Sequence, residues 1–221
     1  IAMVVNKLEV DSLLKSFGDK AVLTDIWLQC VPGEVIGLLG RNGCGKSTLL
    51  MIIFGSLRAE QQFIRADGKP MTALTDRMGY ISYLPQEGFL PPFVRVRSAL
   101  KLFLKNEAKN TTDSFPFLLP LLQTRVGRLS HGERRLLEII LILNTPGRYV
   151  LLDEPFNGLS PLQKDNVSEI IRATGKHKGI IITDHDYRHV QALATRLLLM
   201  HDGGLKQITD TENLAGGLYL P

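Results

Sequence analysis

Cysteine is scarce in this sequence. The chain of 221 residues contains two cysteines, Cys30 and Cys44, and a single tryptophan. A disulfide framework is therefore excluded, and a chain of this length can bury a sizeable core without one. Hydrophobic residues make up 44% and charged residues 22%, which also excludes disordered and collagen-like chains. We expect a reduced, intracellular protein with a single domain over residues 3–221.

Long hydrophobic runs are also missing. The longest stretches without Asp, Glu, Lys or Arg are 47–57 and 114–124, and both are shorter than the roughly 18 residues of a spanning helix. The amino terminus lacks the basic and apolar regions of a secretion signal. Charge is almost balanced, with 26 Lys and Arg against 22 Asp and Glu. We therefore expect no membrane span, and no partner that is a nucleic acid.

Short apolar runs alternate with helical patterns through most of the chain. This alternation predicts an α/β fold with a mostly parallel sheet and flanking helices. The first 30 residues alternate apolar and polar side chains instead, which favours a separate antiparallel sheet. The runs that predict buried strands are Val35–Leu39, Tyr149–Leu152, Gly179–Thr183 and Leu197–Met200.

The middle of the chain interrupts this rhythm. Prolines cluster there, and a helical pattern covers Ser98–Lys109. We expect a helical subdomain inserted at about residues 88–145. Two apolar stretches within it, Phe89–Phe93 and Phe115–Leu122, have two interpretations. They form the core of the subdomain, or they line a groove in which a partner docks.

A glycine-rich segment follows the first of the four predicted strands and precedes a helical pattern. Its spacing of glycines, lysine and serine is that of the phosphate-binding loop of P-loop nucleoside triphosphatases. Such a loop surrounds phosphate with backbone N–H groups and a helix amino terminus. We expect Lys46 to reach the β- and γ-phosphates of ATP and the Ser47 hydroxyl to bind Mg²⁺. The phosphate-binding residues are then Gly40, Arg41, Asn42, Gly43, Cys44, Gly45, Lys46, Ser47 and Thr48.

An acidic pair ends the second predicted strand. Tyr149–Leu152 is apolar, and Asp153 and Glu154 follow it directly. Ligands of open α/β sheets bind at the carboxyl ends of the strands, so we expect this pair to face the phosphate loop. Asp153 would hold Mg²⁺ through a water molecule. Glu154 would act as the general base that polarises the attacking water.

A third motif, Leu129-Ser130-His131-Gly132-Glu133, lies between these two. Here the chain resembles the nucleotide-binding subunits of ABC transporters, whose signature is Leu-Ser-Gly-Gly-Gln or a variant that ends in Glu. Phe17 is similar to the family's adenine-stacking aromatic residue, Gln86 to its Q-loop glutamine and His185 to its switch histidine. The segment from Ile182 to Arg188 is most similar to the lipopolysaccharide-export and branched-chain amino acid groups.

The resemblance implies an ATPase that works as a head-to-tail dimer of two such subunits. Each ATP would lie between the phosphate loop of one subunit and the signature of the other, where the Ser130 hydroxyl and the Gly132 N–H would contact the γ-phosphate. Gln86 would sense Mg²⁺ and the attacking water, and His185 would position Glu154. Separate membrane subunits would carry out transport. The chain would lie in the cytoplasm, on the inner face of the cell membrane.

The sequence departs from the family pattern at several positions. His131 replaces the first glycine of the signature, and Ser160 replaces the usual Asp of the loop 157–160. Leu136 and Leu141 replace two arginines. These departures put the coupling between the two ATP sites in question and favour slow turnover.

Other interpretations stay open at this point. A soluble ABC ATPase that acts on DNA or ribosomes is one, although the chain has no heptad run and has room for a single such domain. A nucleotide-gated binding module that barely hydrolyses ATP is another. His185 and His189, four residues apart, could also face one metal ion from a helix.

Overall fold

Two β-sheets of different construction organise the chain in the computed structural model, which describes residues 6–104, 108–185 and 187–208. Residues 3–5 and 209–221 of the predicted domain lie outside the described residues. The first sheet comprises β1 (Leu8–Phe17), β2 (Lys20–Cys30), β4 (Gln61–Ala66) and β5 (Lys69–Pro70), all antiparallel, in the order β2-β1-β4-β5. The predicted antiparallel sheet is therefore confirmed.

The second sheet is mostly parallel, as predicted. It comprises β3 (Val35–Leu39), β6 (Ile81–Leu84), β7 (Tyr149–Asp153), β8 (Gly179–Thr183), β9 (Arg196–His201) and β10 (Gly204–Ile208). The order is β10-β9-β3-β8-β7-β6, and only the pair β9–β10 is antiparallel. All four predicted strands are present. Their residues are buried because helices cover the sheet, which explains why they read as continuous apolar runs.

Helices connect the strands of this sheet. They are α1 (Lys46–Phe54), α2 (Leu74–Arg77), α3 (Val96–Leu104), α4 (Ala108–Ser114), α5 (His131–Leu143), α6 (Pro161–Gly175) and α7 (Tyr187–Leu193). The helical pattern predicted over Ser98–Lys109 falls on α3 and on the start of α4, and residues 105–107 lie outside the described residues. Within the described ranges, no helix has the length and apolar composition to cross a membrane.

Between β6 and β7 the chain forms the predicted helical insertion. It contains α3, α4 and α5, with 3₁₀ helices at Pro116–Leu121 and Val126–Arg128. Leu90 and Leu118 are buried in a core that α5 completes, whereas Phe93 is exposed. The stretches Phe89–Phe93 and Phe115–Leu122 therefore form part of the core of the subdomain, which is the first of the two interpretations. Some of their residues, such as Phe93, are not part of that core. The limits 88–145 stay a prediction.

Candidate nucleotide site

The glycine-rich loop connects β3 to α1, which is the context that its sequence predicts. Gly43 and Gly45 have φ of +73° and +111°, in the left-handed region that favours glycine. A Cβ atom on Gly45 would lie 2.9 Å from Val22 of β2. The loop is thus packed against the first sheet, and only glycine fits there.

Lys46 is the first residue of α1, and its side chain is buried against the loop. Its Nζ donates to the carbonyl oxygens of Gly40 at 2.7 Å and Arg41 at 3.0 Å. The Cys44 Sγ lies 4.0 Å from the same nitrogen. The positive charge of Lys46 is therefore held within the loop.

Asp153 ends β7 and accepts hydrogen bonds from three hydroxyl groups. Its Oδ1 accepts from Ser47 at 3.0 Å and from Thr183 at 2.7 Å, and its Oδ2 accepts from Tyr83 at 3.1 Å. Burial, together with the neighbouring Asp153, raises the pKa of Tyr83, so this phenol stays a donor. The structure thus brings Ser47 and Asp153 together, as the sequence predicts.

Glu154 lies between Gln86 and His185, two of the side chains that are predicted to act with it in catalysis. Gln86 Nε2 donates to its Oε2 at 2.7 Å, and His185 Nε2 lies 2.7 Å from its Oε1. Burial raises the pKa of this carboxyl, and the nearby Asp153 acts in the same direction, against His185 and Lys46. A carboxylate that binds a proton more tightly is a better general base.

Gln86, Glu154 and His185 line one cavity of about 360 Å³ together with residues of the glycine-rich loop. It has the loop on one side and the ends of β6, β7 and β8 on the other. A larger cleft of about 850 Å³ lies beside Glu34 and Arg196 and contains none of the predicted residues. The lining of the smaller cavity is Asn42, Gly43, Gly45, Lys46, Ser47, Thr48, Gln86, Glu154 and His185.

Six predicted nucleotide contacts are not part of this lining. Gly40, Arg41 and Cys44 belong to the glycine-rich loop itself, whereas Phe17, Ser130 and Gly132 lie outside it. Phe17 ends β1 with about half of its surface exposed, and Lys15 Nζ lies 4.9 Å from the centre of its ring. Ser130 caps α5, where its Oγ accepts from the Glu133 N–H at 3.2 Å. Gly132 lies in the first turn of the same helix, beside Gln163. A single chain therefore does not bring the signature to its own phosphate loop.

Sequence reasoning missed Arg135, which supports the site from behind. Its guanidinium donates to the carbonyl oxygens of Pro85 at 2.8 Å, Asp153 at 2.8 Å and Glu154 at 3.0 Å. It thereby fixes the backbone next to Gln86 and at the acidic pair. The available signal was an arginine followed by the apolar run of α5, since a buried charge requires partners.

Two further side chains of the site also escaped prediction. Thr183 pairs with Asp153 in the register of β7 and β8, and Tyr83 lies in β6.

Glu138 of α5 accepts from the N–H groups of Phe89 at 3.1 Å and Leu90 at 3.2 Å. Together with Arg135, it holds both ends of the segment that carries Gln86.

The structure does not support a metal site at His185 and His189. His185 precedes α7, which begins at Tyr187, and the His189 ring packs on Phe156 at 5.2 Å between centres. The described part of the chain contains no cluster of three or more His, Cys, Asp or Glu side chains that could hold a metal ion.

A family model described as ABC transporter matches residues 23–157. The chain belongs to the ABC transporter ATP-binding family. The lipopolysaccharide export system ATP-binding protein LptB of Acidithiobacillus ferridurans is 35% identical and covers 89% of this chain and 87% of its own length. A probable ABC transporter ATP-binding protein of Azorhizobium caulinodans is 34% identical over 91% of this chain and 76% of its own.

Solved structures share the fold of this ABC subunit. An ATP-binding subunit of an ABC transporter superimposes with a TM-score of 0.81 over 96% of this chain and 95% of its own, at 23% identity. A bacterial Atm1-family ABC exporter with ATP bound gives a TM-score of 0.83 at 19% identity, over 96% of this chain and 40% of its own. The predicted P-loop fold is confirmed. The chain is an ABC ATP-binding subunit, of a family that hydrolyses ATP.

Proposed function

We propose that this ABC subunit hydrolyses ATP in a head-to-tail dimer of two copies and drives transport through separate membrane subunits. The observation that carries the proposal is the position of Glu154, within 2.7 Å of both Gln86 and His185 in the cavity beside the phosphate loop. Such an arrangement can orient a water molecule and accept its proton. The proposal places the chain in the cytoplasm, on the inner face of the membrane, without a nucleic-acid partner.

The loop residues would hold the triphosphate. Backbone N–H groups of residues 40–48 and the amino terminus of α1 supply donors and a positive dipole end, and Lys46 supplies the charge that reaches the β- and γ-phosphates. Phe17, exposed at the end of β1, is free to stack on the adenine ring. Cys44 is half-buried at the base of the loop, where its small side chain leaves room for phosphate.

The donor set beside the loop suits Mg²⁺. Ser47 and Asp153 present hard oxygen atoms 3.0 Å apart, and Mg²⁺ binds through few protein oxygens while it keeps several waters. Ser47, Asp153 through water and Gln86 would hold the ion. When bound, the ion would neutralise charge on the β- and γ-phosphate oxygens.

Hydrolysis would use the groups around Glu154. The attacking water would donate its proton to the Glu154 carboxylate while its oxygen bonds to the γ-phosphorus and the bond from that phosphorus to ADP breaks. Gln86 would orient the water. His185 would contact the γ-phosphate and hold the Glu154 carboxylate in place.

The signature would complete the site of a second copy. Ser130 and Gly132 do not line the cavity of their own chain, but they expose the amino terminus of α5, which favours anions. In a head-to-tail dimer, each copy would present this turn to the γ-phosphate bound by the other.

A membrane subunit would dock in an apolar groove of about 400 Å³ that adjoins the site. Pro85 and Phe89, on either side of Gln86, line this groove, and so does Tyr83, whose hydroxyl donates to Asp153. An apolar helix that projects from the membrane subunit fits such a lining. The second interpretation of the stretch Phe89–Phe93 thus gains support from Phe89.

Substitution of Glu154 tests the proposed function. Glu154→Gln keeps the size of the side chain but cannot accept a proton, so we expect ATP hydrolysis to fall at least about 100-fold. The same variant should retain ATP and become a dimer in its presence. Phosphate release and analytical ultracentrifugation, each with Mg²⁺ and ATP, measure the two effects.

Glu169→Gln provides the matched control, because Glu169 lies exposed on α6. It should hydrolyse ATP like the parent chain. Equal phosphate release from Glu154→Gln and the parent would contradict the catalytic role. A Glu154→Gln chain that stays monomeric with bound ATP would contradict the dimer.

A further inference from the structure

His131, which replaces a glycine of the family signature, packs on the loop that follows Glu154. A Cβ atom on Gly158 would collide with both Cδ2 and Nε2 of the His131 ring. The ring therefore lies directly against the backbone of Gly158, which has a φ of +72°. A glycine at position 131 has no side chain and could not make this contact.

A second contact lies next to the first. A Cβ atom on Gly132 would come within 2.7 Å of Gln163 Oε1, and the same oxygen accepts from the Ser160 N–H at 3.0 Å. The first turn of α5 thus contacts the loop 157–160 directly at Gly158, and it lies beside Gln163 of α6, which binds the Ser160 end of the same loop. Each of these segments contains a departure from the family pattern, His131 in the first and Ser160 in the second.

Short backbone turns connect this loop to Glu154. The Asn157 N–H donates to the Glu154 carbonyl at 3.2 Å, and the Leu159 N–H donates to the Phe156 carbonyl at 3.3 Å. Phe156 is buried, and its N–H donates to Asp184 at 3.0 Å. Only a few residues, held by these hydrogen bonds, separate Gly158 from Glu154. A displacement of Gly158 will therefore also move the Glu154 backbone.

We propose that His131 is a positioning residue that couples the two ATP sites of the dimer. The inference rests on the proposed head-to-tail dimer, in which the γ-phosphate of one copy meets the signature turn of the other. When the signature turn of one copy closes on the phosphate that the other copy binds, His131 moves Gly158. This movement adjusts the position of Glu154 in the copy that carries the turn. Ser160 replaces the usual Asp of the loop 157–160, which puts the coupling between the two ATP sites in question. In this chain, the packing of His131 on Gly158 provides that coupling instead.

A double-mutant cycle on His131→Gly and Gly158→Ala tests this contact. In the parent chain, the alanine Cβ displaces the ring, and we expect kcat for ATP hydrolysis to fall about 10-fold. In the His131→Gly background, the same substitution should lower kcat at most about 2-fold. The strain of alanine at a positive φ is common to both backgrounds and cancels in the comparison.

Cooperativity provides a readout that a purely structural contact would not change. We expect a Hill coefficient above one for ATP in the parent, a value near one for His131→Gly and recovery in His131→Phe, which restores a flat ring. ATP affinity at concentrations where the chain is monomeric should not change. Gly68→Ala, at a φ of +78° with open space around it, is the matched control and should behave like the parent.

An equal loss of kcat in both backgrounds would overturn the coupling, as would a Hill coefficient that is the same in parent and His131→Gly. Failure of His131→Phe to restore cooperativity would also overturn it, because the proposal depends on packing. If Glu154→Gln dimerises with ATP while the cycle shows no coupling, only the role of His131 fails. If Glu154→Gln does not dimerise, both proposals fail.

Discussion

Glu154 occupies a left-handed backbone conformation, with a φ of +50°, directly after β7. For a residue other than glycine this costs on the order of 1–3 kcal/mol, and it persists only where the surroundings hold it. Here the Glu154 N–H donates to the Thr183 carbonyl at 2.9 Å, and Arg135 donates to the Glu154 carbonyl at 3.0 Å. The conformation turns the side chain from the strand towards Gln86 and His185.

The raised pKa of Glu154 predicts a pH-dependent cost of folding. Because burial raises the pKa of this carboxyl in the folded state, the protonated form stabilises the fold, and that stabilisation is lost as pH rises from about 4.3 through the folded-state pKa. Glu154→Gln does not titrate. We expect its free energy of unfolding, relative to the parent, to increase over this pH range in urea denaturation without nucleotide. A difference that stays constant from pH 4.5 to 8 would contradict the shift.

At the scale of single elements, α5 connects the parts of the site. Its first turn carries the signature, Arg135 reaches the carbonyl oxygens at the end of β7, and Glu138 accepts from the backbone of Phe89 and Leu90. One rigid helix therefore contacts the expected dimer interface, the segment of Gln86 and the acidic pair.

Arg135→Lys should uncouple α5 from the acidic pair. Lysine keeps the charge but lacks the planar fork that donates to three carbonyl oxygens at once. Each charged hydrogen bond contributes about 1.5–3 kcal/mol, so we expect kcat to fall at least about 10-fold. The affinity for ATP should change by less than about 3-fold, since Arg135 does not line the cavity. Phosphate release and nucleotide titration measure the two values.

Arg172→Lys is the control for this substitution, because Arg172 lies exposed on α6. It should retain the parental kcat and affinity. A parental kcat in Arg135→Lys would show that the three hydrogen bonds do not position Glu154.

Across the whole molecule, the site lies where the two sheets meet. The phosphate loop extends from the second sheet and packs on Val22 of the first, and a shared core of buried residues joins the sheets. The apolar groove runs along β6, of which Ile81, Ser82 and Tyr83 line it. Tyr83 contributes to both regions, because its ring lines the groove and its hydroxyl donates to Asp153.

A charge in the groove should therefore weaken the docking of a membrane subunit and leave the nucleotide site intact. Met78 lines the groove with 72% of its surface exposed, so Met78→Glu should fold normally. We expect it to lose association with membranes that retain the transporter's integral subunits, and to keep ATP affinity. Co-sedimentation with such membranes measures the first effect.

Phe63→Glu is the comparison, because Phe63 is an exposed aromatic residue on the first sheet. It should sediment with the membranes like the parent. Retained association of Met78→Glu would exclude the groove as the docking surface.

Local sequence was sufficient where one segment contains the whole pattern. The strand, loop and helix around Gly40–Ser47 and the strand that ends at Asp153 were predictable because periodicity and glycine positions act over a few residues. Arg135 and Thr183 were not predictable as site residues. Their hydrogen-bond partners lie in separate segments of the chain. Only the register of β7 with β8 brings Thr183 to Asp153, and only the packing of α5 brings Arg135 to the end of β7.

The sequence by itself determined four buried strands of the second sheet, the antiparallel pairing near the amino terminus, the phosphate loop, the acidic pair and the family, since each depends on residue types at fixed spacings. Tertiary structure alone decided that Glu154 lies between Gln86 and His185, that Arg135 fixes its backbone and that His131 lies on Gly158. These contacts join residues from separate segments of the chain. Their distances arise from how the sheet and α5 pack, which no local pattern encodes.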